Sequence, residues 1–389
     1  MSQVLNSIAY PQTIDEARGK RFLSLDIFRG LTICLMIIVN TPGKGAPFYP
    51  VLVHAPWFGF TLADLVFPSF LFAMGNSMSF SAHATKIADI TFLRKVVYRS
   101  CLLFVIGILM YWFPFIQQRT GGSWSFISFD TTRIMGVLQR IAICYLVASL
   151  LVRYFPTRAV AAVTLAILVG YWKALYVWGD PGAELTMAGN AIIKLDIWLL
   201  GEGHVYKKDL IPFDPEGVLS TLPAIVNVLA GYWVGKWIQM QKNTRTAVHY
   251  LLIAGTLLVI TGWVWGSFFP ISKKLWTSSF TVFTIGIDVL IVSLLIYCFE
   301  LRVWAKDIYF FSVLGRNPLV TFLFSELFYV VLSTIKVNND QSVFHWVSVE
   351  IFQQIMPGPA GAMLTAITFM LMCWMLAWVL DKNKVYVRI

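Results

Sequence analysis

Long apolar runs separated by short polar loops recur along the whole chain of 389 residues. Each run holds about 17–27 residues, the length that a helix needs to cross a hydrocarbon core of about 30 Å. An open sheet leaves backbone groups unsatisfied in lipid, so the pattern predicts helices. We therefore predict an all-α integral membrane protein, a polytopic bundle of about ten transmembrane helices. The predicted spans are 25–41, 57–82, 97–115, 134–152, 159–178, 218–237, 247–269, 277–299, 309–335 and 360–380.

The composition agrees with this pattern. The chain is 58% hydrophobic and only 13% charged, whereas soluble domains carry roughly a quarter of charged residues. A soluble chain of this length would form two or three domains, but this composition favours one transmembrane domain, 25–389. Residues 1–24 are mostly polar, so we expect a cytoplasmic N-terminal segment and no cleaved signal peptide.

The formal net charge of +10 could suggest a nucleic-acid partner, but its distribution argues against one. The basic residues fall in short loops, and more than half of them share one side if the N-terminus is cytoplasmic. This asymmetry predicts that both termini face the cytoplasm. The acidic segment 179–217 then becomes an extracytoplasmic cap, and the short amphipathic run 344–357 an interfacial helix on the same side.

Familiar short motifs for other chemistries are missing from the sequence. Its five cysteines lie in apolar runs without CxxC or CxxH spacing, so we expect neither a metal site nor a disulfide framework. The sequence contains no Walker-type loop, GxSxG elbow or HExxH helix. The function must therefore come from polar residues placed within or beside the apolar spans.

His54 stands between two long apolar runs, with Asn40 before it and Asp64 after it. A lone carboxylate inside a span costs about 2.5–3.5 kcal/mol to insert, so Asp64 needs a partner. Pairing with an imidazole would fix the tautomer of His54 and raise its basicity. The structural alternative is that Asp64 caps a local kink and His54 is a solvated loop residue. The whole set, in such apolar surroundings, favours acid–base chemistry.

Two arginines at the start of the fourth predicted span, one immediately before it and one inside it, also need partners. Arg133 and Arg140 are two turns apart on one helix face, about 10 Å along the axis, and Gln139 precedes Arg140. An arginine at that depth requires an anion, either a carboxylate or a bound phosphate. Asp288 and Glu326 are the candidate carboxylates, and a cofactor with several phosphates is the other candidate. The sequence leaves both open.

Polar groups lie in two further apolar segments. Asp26 and Arg29 share a helix face at i,i+3, as an anchoring ion pair or as a ligand contact. The segment 315–318 contains a glycine and a proline that loosen the helix around Arg316 and Asn317. It predicts either the lining of a polar cavity or a kinked packing helix.

These residues carry a family resemblance. The chain resembles the transmembrane acyltransferases typified by heparan-α-glucosaminide N-acetyltransferase, and the similarity runs through nearly the whole chain in order. The matching motifs lie at 25–31, 39–40, 54–57, 63–68, 133–140, 213–217 and 220–221, with Gly315 and Asn317. The resemblance implies that His54 is catalytic and that Asn40 assists it, with Asp64 as the matching acidic neighbour. It also implies acetyl-CoA entering from the cytoplasm and an amino-sugar acceptor arriving from the opposite side.

We therefore expect an acetyltransferase in a bacterial plasma (inner) membrane, a multi-pass enzyme that uses acetyl-CoA as acetyl donor and no metal. The candidate residues for holding coenzyme A are Arg140, Gln139, Arg133, Arg29, Arg316 and Asn317. Its partners would be the amino-sugar acceptor, membrane lipid and, as a homodimer, a second copy of the chain; nucleic acid is not expected.

Two other functions remain open at this stage. The chain could be an amino-sugar or muropeptide transporter, in which Asp64 and His54 carry a coupling proton. It could also be an O-acyltransferase acting on an envelope polysaccharide, which keeps the mechanism and changes the acceptor. An acetyl-histidine intermediate at His54 is a variant of the enzymatic hypothesis.

Overall fold

The computed structural model describes residues 23–82, 88–118, 124–207, 211–241, 243–302, 309–337 and 341–387, and they are predominantly helical. Most of the predicted N-terminal segment, residues 1–22, lies outside this range. The helices are α1 (Leu23–Asn40), α2 (Leu62–Ala82), α3 (Asp89–Trp112), α4 (Val137–Tyr154), α5 (Thr157–Trp178), α6 (Ala191–Leu200), α7 (Thr221–Met240), α8 (Thr244–Gly266), α9 (Ser278–Ile296), α10 (Tyr309–Arg316), α11 (Pro318–Thr334), α12 (Val343–Trp346), α13 (Gln353–Ile355) and α14 (Pro359–Lys382).

The all-helical prediction is confirmed with one addition. Two three-residue strands, β1 (Ile116–Gln118) and β2 (Trp124–Phe126), pair antiparallel between α3 and α4. Short 3-10 turns lie at Pro50–Leu52, Phe129–Thr131 and Glu202–His204, and π-helical turns at Tyr297–Leu301 and Val347–Phe352. The second π-helical turn joins α12 to α13, so the predicted run 344–357 is mostly helical.

Among the described residues, six helices are long and apolar enough to cross a membrane: α1, α4, α5, α8, α9 with its π-helical extension, and α14. The bent pair formed by α10 and α11 would be a seventh. The chain is therefore a multi-pass membrane protein. The count of ten spans and the cytoplasmic position of both termini remain predictions.

The predicted span 309–335 is not one continuous helix in the structure. It is broken between α10 and α11, which meet at an angle of 85°. The break falls at Asn317, whose backbone has φ −128° and ψ 51°. Pro318 explains this conformation, because a proline disfavours the helical region for the residue before it and cannot donate to the preceding turn. The predicted loosening of segment 315–318 is thus confirmed.

Helices α2 and α7 pack with their backbones in direct contact. A Cβ atom on Gly75 would lie 1.9 Å from the carbonyl oxygen of Val228, and one on Gly231 would lie 2.0 Å from that of Phe72. Neither neighbour is a flexible side chain that could move aside. Small residues at a helix–helix interface allow two backbones to approach each other this closely.

We expect Gly75→Ala to lower the free energy of unfolding by about 1–3 kcal/mol, as overpacking does in protein cores. Gly170→Ala in α5 is the matched control, because a Cβ there would have no neighbour within 4 Å. Alanine is the better helix former, so the control should be neutral or slightly stabilised. Thermal unfolding in detergent measures both variants, and equal melting temperatures would contradict the packing argument.

Three connecting segments converge at one end of the bundle and form the site. They are the α1–α2 connection (41–61), the α8–α9 connection (267–277) and the end of the predicted cap (211–220). The Trp57 and Phe213 rings lie 5.2 Å apart, and Ser272 Oγ donates to the Trp57 carbonyl at 2.7 Å. Phe213 and Leu275 are fully buried. These contacts fix the three connections relative to one another.

Candidate active site

Asp64 binds His54 and the start of α2 at the same time. His54 Nδ1 lies 2.9 Å from Asp64 Oδ1. Asp64 Oδ2 accepts from the Ala55 amide at 3.1 Å, and from the Thr61 amide at 3.0 Å and hydroxyl at 3.1 Å. An acidic residue that accepts from the amide three residues earlier is half of a capping box. Asp64 therefore caps the start of α2, not a local kink as the structural alternative held, and it also binds the imidazole.

This pairing fixes the chemistry of the His54 ring. An ionised carboxylate only accepts hydrogen bonds, so Nδ1 carries the proton and donates to Asp64. Nε2 is left with its lone pair available, which is the state that a general base needs. Asp64 is fully buried, whereas the His54 side chain is 41% exposed. The buried acid orients the base, and the base remains accessible.

Lys273, on the α8–α9 connection, completes this group and was missed in the sequence analysis. Its Nζ lies 3.1 Å from His54 Nε2 and 3.3 Å from Nδ1. Partial burial lowers the pKa of His54 and the Lys273 charge lowers it further, while Asp64 raises it. A signal was present: Lys273 and Lys274 are adjacent cations in a predicted outer loop, where the positive-inside rule leaves few.

A cavity of about 190 Å³ lies beside this group. It brings together three of the predicted site residues, Asn40, His54 and Arg133. Asn40 ends α1 and donates from Nδ2 to Glu326 Oε1 at 3.0 Å. The lining residues are Met36, Val39, Asn40, His54, Ala63, Val66, Phe67, Arg133, Val137, Tyr206, Pro215, Glu216 and Lys273. The lining thus combines apolar residues from α1 and α2 with charged residues from the connecting segments.

Arg133 reaches the cavity already paired with two carboxylates. Its Nε and Nη2 donate to both oxygens of Asp214 at 2.9 and 2.6 Å, and Nη2 also donates to Glu216 at 2.5 Å. The guanidinium lies 5.0 Å from the Tyr111 ring centre and 4.8 Å from that of Tyr206. Burial opposes ionisation of Glu216, but the nearby cations Arg133, Arg140 and Lys273 hold its pKa below the usual value.

Arg140 and Gln139 are not among the residues that line this cavity, and both are fully buried. Arg140 Nη2 donates to the carbonyls of Pro215 at 3.0 Å and Gly217 at 3.2 Å and to the Ser220 hydroxyl. Its guanidinium lies 4.7 Å from the centre of the Trp276 ring. Neither expected carboxylate serves it, since Asp288 accepts from Ser69 and Glu326 from Asn40. Carbonyl dipoles and a hydroxyl therefore take the place of the expected carboxylate, and phosphate binding by Arg140 stays a prediction.

The other three candidate residues form a separate cluster toward the opposite end of α1. Arg29 donates to the Gly315 carbonyl at 3.1 Å and pairs with Asp26 at 3.4 Å. Arg316 binds Asp381 through both carboxylate oxygens, at 2.8 and 2.9 Å. Asn317 bonds the backbone of residues 385 and 387. Arg29 precedes Asn40 by eleven residues, which is about 16 Å along a helix axis.

Comparison with known proteins identifies relatives of the chain. The family model described as "Heparan-alpha-glucosaminide N-acetyltransferase, catalytic" matches residues 21–263. The mouse heparan-alpha-glucosaminide N-acetyltransferase is 27% identical over 377 residues, covering 82% of this chain and 56% of the relative. The human protein of that name is 28% identical over 364 residues, covering 79% and 53% respectively. The chain thus spans about half the length of these curated relatives. The family match includes Asn40, His54 and Asp64 and ends before Lys273.

Proposed function

Because the chain belongs to the heparan-alpha-glucosaminide N-acetyltransferase catalytic family, we propose that it is a transmembrane acetyltransferase. It would move acetyl from cytoplasmic acetyl-CoA to the amine of an extracytoplasmic glucosamine-type sugar, in the plasma membrane of a bacterium. One observation carries this proposal: His54 is oriented by buried Asp64 and opens on the same cavity as Asn40. That is the arrangement of a general base beside a hydrogen-bond donor.

His54 performs the proton transfer in this mechanism. Its Nε2 removes a proton from the acceptor amine as the amine nitrogen forms a bond to the acetyl carbon. Asp64 stabilises the imidazolium that results, because its carboxylate accepts from Nδ1. When the tetrahedral intermediate collapses, the carbon–sulfur bond breaks and His54 returns the proton to the departing thiolate. The ring therefore ends the cycle in its starting state.

Asn40 supplies the donor for the oxyanion. Its Nδ2 bonds Glu326 in the resting structure, and it lines the cavity together with His54. In the intermediate, the same amide would donate to the oxygen that gains negative charge. Such a donor contributes about 3–4 kcal/mol to acyl transfer.

The two arginine clusters suit the two ends of coenzyme A. Arg29, Arg316 and Asn317 would hold its phosphates at the predicted cytoplasmic end, and Arg133 would line the acceptor end. Arg140 Nη1 and Nε and the side-chain amide of Gln139 have no hydrogen-bond partner among the described residues. Such buried groups normally find a partner, and the amides of the pantetheine arm would provide one. Bound acetyl-CoA would then provide hydrogen-bond partners for these buried atoms.

Purified protein in proteoliposomes tests the proposal directly. Acetyl-CoA on the side of the Arg316 cluster and glucosamine on the side of His54 should release free CoA, at a rate that depends on both. The product should be the amide, which is stable to hydroxylamine. Release of an O-acetyl ester would instead indicate O-acylation, and sugar uptake without CoA release would indicate transport.

Initial-rate kinetics separate direct transfer from a route through acetyl-histidine. Direct attack requires both substrates to be bound together and gives intersecting double-reciprocal lines. A covalent intermediate gives parallel lines. We expect intersecting lines, because the proposed mechanism uses His54 as a base in the cavity that it lines together with Asn40.

Arg316→Gln should raise the KM for acetyl-CoA about 10–100-fold, the loss of one charge-assisted contact to phosphate. It should leave the KM for acetyl-pantetheine, which lacks the adenosine phosphates, unchanged. Arg153→Gln is the matched control: its side chain is 29% exposed and bonds Asp89, against 28% for Arg316 with Asp381. If the KM of both donors rises equally, Arg316 supports the fold and does not bind phosphate.

A further inference from the structure

Lys273 lies beside the ring atom of His54 that would accept the substrate proton in the proposed reaction. Asp64 takes the Nδ1 side of the His54 ring, so Nε2 is the atom that can accept a proton from a substrate. Lys273 Nζ lies 3.1 Å from that atom and 3.3 Å from Nδ1. A position nearly equidistant from both ring nitrogens lies against the ring and not along the Nε2 lone pair, so the lysine acts on the imidazole through its charge.

Charged groups face His54 and Lys273 from several elements. Asp64 approaches from α2, and Glu216 and Arg133 line the cavity from the segments before α7 and α4. Lys274, next in sequence, and buried Arg140 add positive charge around Lys273, and Glu216 and Asp64 oppose it. Farther along the cavity, Asn40 binds Glu326. Among the described contacts of these side chains, the close approach to Nε2 is that of Lys273.

We propose that Lys273 is a positioning residue for the base. In the resting protein its ammonium lies against the His54 ring and holds the imidazole in its neutral form, with the proton on Nδ1 bonded to Asp64 and the Nε2 lone pair open to the acceptor amine. This inference rests on the proposed function for its role in turnover.

The charge of Lys273 supports the same role as its position beside the His54 ring. A positive charge beside an imidazole disfavours its protonated form, and the Lys273 charge contributes to lowering the pKa of His54. Burial lowers the pKa of Lys273 itself, while Glu216 and Asp64 favour its charged form. While Lys273 is an ammonium, its charge lowers the pKa of His54, so His54 stays neutral at a lower pH than it would without the lysine. A neutral base is ready to accept a proton.

The test measures the titration of His54 without requiring turnover. Diethyl pyrocarbonate modifies neutral imidazole, and mass spectrometry of the His54 peptide gives the modification rate at each pH. In Lys273→Met the midpoint of this rate should rise by about one pH unit, because the repelling charge is gone. Lys273→Arg keeps a cationic donor and should retain the wild-type midpoint. The acidic limb of kcat/KM should move in parallel in Lys273→Met.

Lys274→Met is the matched control, since it removes the adjacent cation, whose Nζ lies 5.9 Å from the centre of the Trp57 ring. Its midpoint should remain close to that of the wild type. An unchanged midpoint in Lys273→Met, or equal shifts in both lysine variants, would overturn the role of Lys273. A shifted midpoint in a protein that transfers no acetyl group would refute the proposed function and leave the contact established.

Discussion

His54→Ala should lower kcat by about 10²–10⁴-fold, the usual contribution of a general base, with little effect on acetyl-CoA binding. The fold should survive, because the His54 side chain is 41% exposed. Asp64 would also keep its bonds from Ala55 and Thr61, so the cap of α2 remains. The loss should therefore fall on chemistry. Single-turnover rates at saturating acetyl-CoA measure it, together with the melting temperature.

His204→Ala is the matched control for this substitution. His204 is another histidine of the predicted outer side, and its Nδ1 is bonded to the Thr132 carbonyl at 2.7 Å. Its loss should leave kcat within a few-fold of wild type. Turnover of His54→Ala close to the wild-type rate would remove His54 from the mechanism. A large fall in melting temperature would mean that the histidine supports the fold.

The pairing of His54 with Asp64 could be predicted because it is local. The two residues are ten apart in sequence, and the polar atoms of an isolated carboxylate beside an apolar run need a nearby partner. Lys273 lies 219 residues from His54, and no periodicity links them. Its contact depends on how the α8–α9 connection folds against the α1–α2 connection. The sequence contains only an indirect sign, two lysines in a loop where cations are scarce.

The environment of Arg140 was harder to predict for a different reason. The position of Arg140 deep in an apolar helix predicts that its charge needs a partner, and the partner predicted from the sequence is a carboxylate or a phosphate. The segment 215–220 folds over the guanidinium and provides carbonyls and a hydroxyl. Backbone carbonyls are present in every sequence, so composition and spacing do not reveal them. The burial of Arg140 can therefore be predicted from the sequence, whereas the groups that bind it can be identified only from the folded structure.

The apolar runs located the helices well, because hydrophobic length is the main determinant of a membrane helix. Each of the ten predicted spans overlaps one of the long helices or the α10–α11 pair. A bend within an apolar run cannot be predicted from hydrophobic length in the same way. The 85° bend at Asn317 follows from Pro318, which marks the break but not its angle. The angle depends on packing against neighbouring helices.

Asn40→Ala should lower kcat by about 10²–10³-fold, the effect of removing one oxyanion donor, with the KM for acetyl-CoA nearly unchanged. An interaction made only in the transition state affects kcat and kcat/KM together, whereas uniform binding affects KM. Asn40 is suited to the first role because it is exposed at the cavity and its Nδ2 donates to Glu326 in the resting structure. That donor can be redirected to a developing oxyanion.

Glu326→Gln separates the donor from its resting partner. It removes the charge that accepts from Asn40 Nδ2 but leaves the amide of Asn40 intact, so kcat should change less than tenfold. If Glu326→Gln instead matches Asn40→Ala, the pair acts through its own hydrogen bond and Asn40 does not serve the oxyanion. A raised KM with unchanged kcat in Asn40→Ala would assign the residue to ground-state binding. Steady-state kinetics of the two variants distinguish these outcomes, because the donor and its partner lie on different helices and can be changed separately.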